Sequence, residues 1–310
     1  MAVVTSGSWQ KALWPGVSTW FNGAYDSHPE EYPQFFTRLK SNKAFEQAVG
    51  QSLLGLASVK GQGAGITYDD TQQTYINNFV HSVYATGVII TLEAYRDNQY
   101  NLEALSTKPK ALAVSMKETK EHVCANVFNR AFNAAYTMGS SSDGVELCDA
   151  AHPNGPYGAT ASNLDTAADL SETTLEDSLV SVMQMTDPRG LKINVMPDKL
   201  VIPPALNFTA ARILESVGQN DTANNAVNVL RSHNSLPSGY QVNHYLTDAD
   251  AWFVLTSINS KGQGLVVYDA WPVEMGLDND FDTFNMKTKA FERYSTGWID
   301  FRGVRGNAGA

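Results

Sequence analysis

The sequence predicts an α+β fold, because one long helical pattern stands beside many short runs of strand type. Residues 108–136 carry apolar side chains at spacings of three and four, which is the pattern of a helix with one apolar stripe. Short runs rich in valine, isoleucine and aromatic residues, separated by turn signals, predict strands in much of the remaining chain. These segments do not alternate regularly and no internal repeat is visible, so we expect a mixed arrangement of helices and strands.

The long helix is predicted to cover residues 108–136. Pro109 suits a first helical turn, which tolerates a missing N–H, and Ser106 and Thr107 are candidate caps. Gly139 and the serines that follow it should end the helix. At about 1.5 Å per residue this helix would be roughly 42 Å long, which exceeds what one compact domain usually needs.

Two segments of different character precede the long helix. Residues 1–55 are rich in aromatic side chains but weakly periodic, and these rings are expected to cover either the protein's own core or a neighbouring subunit. The glycine-led stretch 61–78 has few large apolar side chains and should contribute little core, whereas residues 79–95 have the composition of a strand. The two stretches are predicted to pair as a long hairpin. Gly61 to Gly65 lack the lysine of a phosphate-binding loop, so no nucleotide site is expected there.

The second half of the chain predicts shorter elements. A helix capped by Ser171 or Thr174 should run to Met185, and another should follow Pro203 and Pro204 to about residue 216. The predicted strands are residues 191–195, 200–202, 229–232, 240–245, 252–257 and 265–268, with two more in the tail between residues 284 and 302.

Composition and charge exclude several classes of protein. A chain of 310 residues with 43% hydrophobic residues can bury a large core, in two domains or in one elaborated domain. The formal net charge of -10 opposes tight binding to a phosphate backbone, so a sequence-reading DNA-binding protein is not expected. The two cysteines, Cys124 and Cys148, are expected to be reduced thiols. The sequence has no signal peptide and no apolar run that could span a membrane, so we expect folding in a cytoplasm without membrane contact.

Candidate metal and catalytic patterns are incomplete. Cys148 and His152 could supply half of a zinc site, but a second pair of ligands is missing. Asp278, Asp280 and Asp282 resemble the first half of a calcium loop that lacks the required glycine and final glutamate, so a solvated acidic turn is expected. No GxSxG motif is present, and the six histidines lie in no catalytic motif. We therefore expect no catalytic residues, no cofactor and no metal, and a protein that acts through its surfaces.

Several short stretches, taken in order, resemble the major capsid proteins of tailed phages with the Hong Kong 97-type fold, and among these the Mu-like major head subunits. They are residues 88–93 before Asp97-Asn98, Asp143-Gly144 with His152-Pro153, residues 198–203 before a predicted helix, and residues 246–248 with 251–253. The resemblance implies an N-arm (1–55), an extended E-loop (56–98) and a P-domain (99–169) with the spine helix 108–136. It further implies an A-domain (170–272) and P-domain return strands (273–310).

The function that this resemblance implies is a self-assembling icosahedral shell, or bacteriophage head, built from hexamers and pentamers around packaged DNA. Assembly would occur in the host bacterial cytoplasm, with a separate scaffolding protein because the aromatic arm begins so near Met1, and with a portal. DNA would be enclosed without sequence-specific binding. The candidate inter-subunit contacts are Trp9, Trp14, Trp20, Phe21, Lys60, Ile66, Tyr68 and Tyr75.

Lys60 is placed near the base of the predicted hairpin, and the next lysine along the chain is Lys108. Because some relatives cross-link subunits through an E-loop lysine, this placement predicts non-covalent stabilisation of the shell. Two alternatives remain at this point. One is another virion protein, such as a tail or head-completion subunit, and the other is a soluble α+β hydrolase whose catalytic residues meet only in space.

Overall fold

The computed structural model describes residues 18–91, 102–139, 141–155, 160–218, 227–280, 282–283 and 285–310. The helices are α1 (residues 18–27), α2 (Leu102–Asn129), α3 (Glu172–Met183), α4 (Asn207–Glu215), α5 (Val229–Ser232) and α6 (Ser257–Ser260). The strands are β1 (Thr37–Lys40), β2 (Phe45–Gln51), β3 (Gln73–Val80), β4 (Ser82–Ile90), β5 (His152–Pro153), β6 (Thr160–Ala161), β7 (Pro197–Ile202), β8 (Tyr240–Val242), β9 (Trp252–Thr256), β10 (Leu265–Asn279), β11 (Met286–Trp298) and β12 (Val304–Asn307). Short 3-10 helices lie at Tyr32–Gln34, Pro204–Leu206 and Phe301–Gly303.

Two four-stranded sheets form the framework. The first has the order β1-β10-β11-β4, and its two longest strands, β10 and β11, are antiparallel from the pair Leu265–Trp298 to the pair Asn279–Met286. The second has the order β12-β9-β7-β8. The pairs β2-β3 and β5-β6 form two smaller sheets.

The second sheet separates two hydrophobic cores. Every residue of β9 is buried, and alternate side chains of a strand point to opposite faces. Phe253 joins the main core, which also contains rings from the N-terminal segment and from α2, whereas Trp252 and Val254 join a core beneath α3 and α4. A third cluster packs Phe21 of α1 against Met116 of α2. Both faces of β9 are therefore covered by the same chain.

The long helix exists, but its predicted bounds were wrong. Helix α2 begins at Leu102 and ends at Asn129, so Pro109 lies inside it instead of in its first turn. The Asn129 side chain accepts a hydrogen bond from the Thr247 amide at 3.0 Å and donates to the Tyr245 carbonyl at 3.1 Å. The chain turns directly after these contacts. Ala131 remains fully buried beyond the end of α2, which explains why apolar spacing continues past the helix.

The predicted pairing of the hairpin was also wrong. Strand β3 pairs with β2, and β4 pairs with β11 in a different sheet. The change of sheet occurs at buried His81, whose ring nitrogens lie 2.9 Å from Ser295 Oγ and 3.1 Å from Ser41 Oγ. The stretch 61–78 does contribute to the core at its end, because Asn77 is buried and donates to the Trp298 and Ile299 carbonyls.

The other elements confirm most of the local predictions. Ser171 caps α3 in a reciprocal capping box with Thr174. The predicted strand at 191–195 is absent apart from one isolated bridge between Thr186 and Lys192. Residues 229–232 form helix α5 instead of a strand, because the Asn228 side chain caps the amide of Arg231. The strand predicted at 265–268 continues to Asn279 as β10, across the predicted domain boundary after residue 272.

Candidate functional site

The extended loop, which we define as residues 52–72, connects β2 to β3 and has almost no regular structure. Its two limbs are joined at the base by hydrogen bonds between Ser52 and Gln72, of 2.8 Å from the Ser52 amide and 2.9 Å from the Gln72 amide. Farther out, the Ser58 and Thr67 hydroxyls lie 3.0 Å apart. A turn from Gly61 closes the tip, where Gly63 has a φ of +76 that favours glycine.

The extended loop carries a set of exposed apolar side chains. Their exposed fractions run from 56% at Leu54 to 100% at Val59, and the set is Leu53, Leu54, Leu56, Val59, Ile66 and Tyr68. Scattered exposed apolar residues are ordinary on a soluble protein, whereas a group of this density on one loop makes the loop a candidate interaction surface.

The base of the extended loop is fixed to the body of the protein. The Ile76 amide donates to the Ser141 carbonyl at 2.9 Å, and the Asn78 amide donates to the Met138 carbonyl at 3.1 Å. Tyr75 packs against the main core, and burial raises the pKa of its hydroxyl. The loop therefore projects from a rigid base.

Helix α2 holds the N-terminal segment through a row of charged side chains. The Glu121 carboxylate accepts hydrogen bonds from the Glu31 amide at 2.8 Å and from the Tyr32 amide at 3.0 Å, at the start of a 3-10 helix. Burial raises the pKa of Glu121, although both hydrogen bonds favour its charged form. One turn earlier, Lys117 forms an ion pair with Glu30. These contacts attach the segment around residue 30 to the long helix.

A second charged cluster joins α2 to the first sheet. Lys120 Nζ lies 2.7 Å from Asp269 Oδ1 and 3.5 Å from Glu292 Oε2. Glu292 is buried, one of its oxygens has no hydrogen-bond partner, and burial raises the pKa of its carboxyl. The rings of Tyr32 and Tyr294 flank the cluster, and their centroids lie 5.6 Å and 4.8 Å from Lys120 Nζ. The arrangement stabilises packing rather than exposing a reactive group.

The candidate zinc ligands His152 and Cys148 have structural roles. His152 is buried, with its Nδ1 2.7 Å from Asp143 Oδ2 and its Nε2 3.0 Å from Asn163 Oδ1. Its ring stacks on that of Phe301. Both ring nitrogens are thus occupied by protein groups. Burial raises the pKa of Cys148 and of Cys124, so both remain protonated thiols and poor nucleophiles.

Within the ranges that the structure describes, no group of three His, Cys, Asp or Glu side chains could hold a metal ion. In the acidic turn, Asp280 Oδ2 forms an ion pair with Lys287 at 2.7 Å. No described helix is both long enough and apolar enough to cross a lipid bilayer.

The predicted contact residues fall into three groups. Trp9 and Trp14 lie outside the described residues. Lys60, Ile66 and Tyr68 are exposed on the extended loop. In the third group, Trp20 is half-buried, Phe21 is buried in the third cluster, and Tyr75 packs against the main core of its own chain.

Two of these placements are corrections. Phe21 is 1% exposed and packs in the third cluster, so its surface is already covered by its own chain. Lys60 precedes the turn at the tip of the extended loop and does not lie near its base, because the hairpin begins at the pair Phe45–Val80. Its position therefore no longer supports the argument for non-covalent stabilisation.

Sequence reasoning missed the four apolar residues of the first limb, which are Leu53, Leu54, Leu56 and Val59. A local signal existed, since these residues share no strand or helix period and precede a glycine-rich stretch. Apolar residues without periodicity fit poorly into a core.

The sequence matches a family model described as "Phage capsid protein" over residues 79–307, about three quarters of the chain. The fold is similar to "Capsid structure of the Cyanophage P-SCSP1u", with 11% identity, 91% of this chain and 88% of that chain covered, and a TM-score of 0.56. It is also similar to "Capsid of Ralstonia phage GP4", with 13% identity, coverages of 89% and 87%, and a TM-score of 0.54. A search of curated proteins found no match. At these identities the likeness shows a shared fold, and it confirms the expected Hong Kong 97-type α+β fold.

Proposed function

The chain belongs to the phage capsid protein family as a major capsid protein, and from this premise we propose that its copies assemble through hexamers and pentamers into an icosahedral shell around a DNA genome. The observation that carries the proposal is the extended loop. It projects six apolar side chains from a rigid base, and each of them is more than half exposed in the part of the chain that the structure describes. In a shell, every subunit lies beside another copy of the same chain, and the surface of that copy can cover these side chains.

Burial of the apolar side chains of this loop would contribute free energy to assembly. Burying apolar area contributes about 25 cal/mol per Å², and six side chains that are more than half exposed offer a large area. A loop in one subunit that lies over the next subunit repeats this contact in every copy, so weak individual contacts add up across the shell. We therefore keep Lys60, Ile66 and Tyr68 as proposed contacts and add Leu56 and Val59.

The proposed domains follow the two cores. The core beneath α3 and α4 draws its buried members from residues 170–254, which supports an A-domain in that region. We keep the limits stated above for the N-arm, E-loop and P-domain, and we assign residues 265–272 to the P-domain as well, because β10 pairs with β11 in the first sheet.

The proposed partners rest on the net charge, and the proposed structural role rests on how the described thiols and His152 are buried. A net charge of -10 disfavours strong binding of the enclosed DNA, so the inner wall would hold the genome without sequence-specific contacts. The buried thiols and the fully engaged His152 support a structural role without catalysis. A separate scaffolding protein, a portal and assembly in the host cytoplasm complete the proposal.

The test replaces residues 56–68 with a short Gly-Ser turn, which retains Gly55, Asp69 and the Ser52–Gln72 hydrogen bonds. We expect a soluble subunit with the native circular dichroism spectrum that forms no closed shells under the electron microscope. A longer deletion up to Asn77 would remove buried contacts and confuse folding with assembly.

Point variants separate the apolar surface from loop length. Ile66→Ser and Tyr68→Ser should reduce the yield of shells, while Gln62→Ser, at the tip of the same loop, is the matched polar control. Normal shells from the 56–68 replacement would contradict the proposal. Tubes or rings from the native protein would instead indicate a tail or head-completion subunit.

A further inference from the structure

Arg189 connects the extended loop to a distant part of its own chain. Its Nη1 lies 2.5 Å from Asp69 Oδ2, and its Nη2 donates to the Asp70 carbonyl. Asp69 Oδ2 also accepts a hydrogen bond of 2.7 Å from the Gly55 amide, on the other limb. One guanidinium and one carboxylate therefore join both limbs of the loop to the chain 120 residues away.

The turn that carries Arg189 is itself held in place. Asp187 Oδ1 accepts hydrogen bonds from the Arg189 amide at 2.9 Å and from the Leu191 amide at 2.8 Å. The Asp187 carbonyl accepts one from the Asn154 side chain at 3.2 Å, and Asn154 in turn accepts one from buried Arg302. Arg189 consequently projects from a fixed point, unlike a long side chain on a free surface.

Gly55 is suited to this contact by its missing side chain. A Cβ at this position would lie 3.0 Å from Arg189 Nη1 and 3.2 Å from Asp69 Oδ2, closer than ordinary van der Waals contact. A side chain at residue 55 would push the guanidinium or the carboxylate back by about a few tenths of an ångström, so glycine suits this close approach.

We propose that Arg189 is a positioning residue that sets the direction in which the extended loop is presented to a neighbouring copy. The role rests on the proposed function of the loop. Between Ser52 and Gln72 the loop has no strand ladder, so without this contact it would sample many directions. Holding a binding segment near its bound orientation reduces the ordering cost of association. Hydrogen bonds from Arg189 lower the pKa of Asp69 to about 2, so the ion pair is fully charged at neutral pH.

The experiment compares Arg189→Ala with Arg212→Ala in the full chain. Arg212 is the matched control, because its guanidinium donates a local hydrogen bond to the Thr209 hydroxyl on the same helix, α4, and not to the extended loop. Hydrogen–deuterium exchange of residues 52–72 in the unassembled subunit reports loop order, and light scattering reports the lowest protein concentration at which shells form. For Arg189→Ala we expect exchange in the loop to rise by roughly two- to fivefold, as befits one ion pair near the surface, with a higher threshold concentration for assembly.

Charge reversal keeps the test independent of folding defects. The double variant Asp69→Arg with Arg189→Asp should recover part of the exchange protection and of the assembly threshold that each single reversal loses, because the ion pair returns while the Gly55 amide and the Asp70 carbonyl lose their partners. Unchanged exchange in Arg189→Ala, or faster exchange with an unchanged or lower threshold, would overturn the positioning role.

The two proposals fail differently. If the 56–68 replacement assembles normally, the role of the loop is wrong whatever Arg189 does. If that replacement fails to assemble while Arg189→Ala assembles like the native protein, only the positioning role is wrong.

Discussion

Replacing Phe128 by alanine should remove much of the stability of the unassembled subunit. Phe128 lies on α2 with 1% of its surface exposed, and its ring centroid is 6.0, 5.7 and 5.1 Å from those of Phe35, Phe36 and Phe253. The side chain thus joins the N-terminal segment, the long helix and the second sheet. Burying alanine in its place should cost about 3 to 5 kcal/mol, through lost apolar contact and the cavity that remains.

This loss is large beside a usual unfolding free energy of about 5 to 15 kcal/mol. Urea titration of the unassembled subunit, followed by tryptophan fluorescence, measures it directly, and Phe128→Leu should lose less because leucine fills part of the cavity. Phe208→Ala is the matched control, since Phe208 is 78% exposed on α4 and its loss should change stability by less than about 0.5 kcal/mol. A loss below about 1 kcal/mol in Phe128→Ala, or an equal loss in both variants, would refute the assignment of Phe128 to the centre of the core.

Two further predictions concern the helix and the buried charges. Val123→Pro should destabilise α2 by roughly 3 kcal/mol or more. Pro109→Ala should raise the unfolding free energy by about 1 to 3 kcal/mol, since it restores a helical N–H. Urea titration measures both changes, and a soluble Val123→Pro subunit of native stability would contradict a continuous helix. Because burial raises the pKa of Glu292, its contribution to stability is present below its ordinary value of 4.5 and is lost as pH rises through the folded value. The unfolding free energy of Glu292→Gln relative to the native protein should therefore increase between about pH 4 and pH 8, and a constant difference would contradict this.

Local patterns predicted the elements well where the deciding groups lie close together in the chain. Ser171 and Thr174 were predicted as alternative caps of α3, and Ser171 is the cap, with Thr174 as its capping-box partner within one turn. The same local reasoning failed at residues 229–232, where strand-like composition gave way to a short helix once Asn228 capped the Arg231 amide. Strand propensity is weak over so few residues.

The candidate site was predicted in part. Ile66 and Tyr68 were candidate contacts because the resemblance to capsid proteins assigns their stretch to an extended loop, and both are exposed there. Phe21 did not differ from them in sequence, yet it is buried, because helix α1 packs it against Met116 on α2. Arg189 carried no local signal at all.

The sequence by itself determined the fold class, the presence of one long helix and the lack of a complete catalytic or metal-binding motif, because periodicity, composition and spacing are properties of neighbouring residues. Only the tertiary structure decided where α2 ends, that β4 pairs with β11, and that Arg189 meets Asp69. Each of these depends on groups more than 100 residues apart, such as Asn129 with Tyr245. These distant groups form their hydrogen bonds and ion pairs only after folding has brought them together, so no local sequence pattern predicts the pairing.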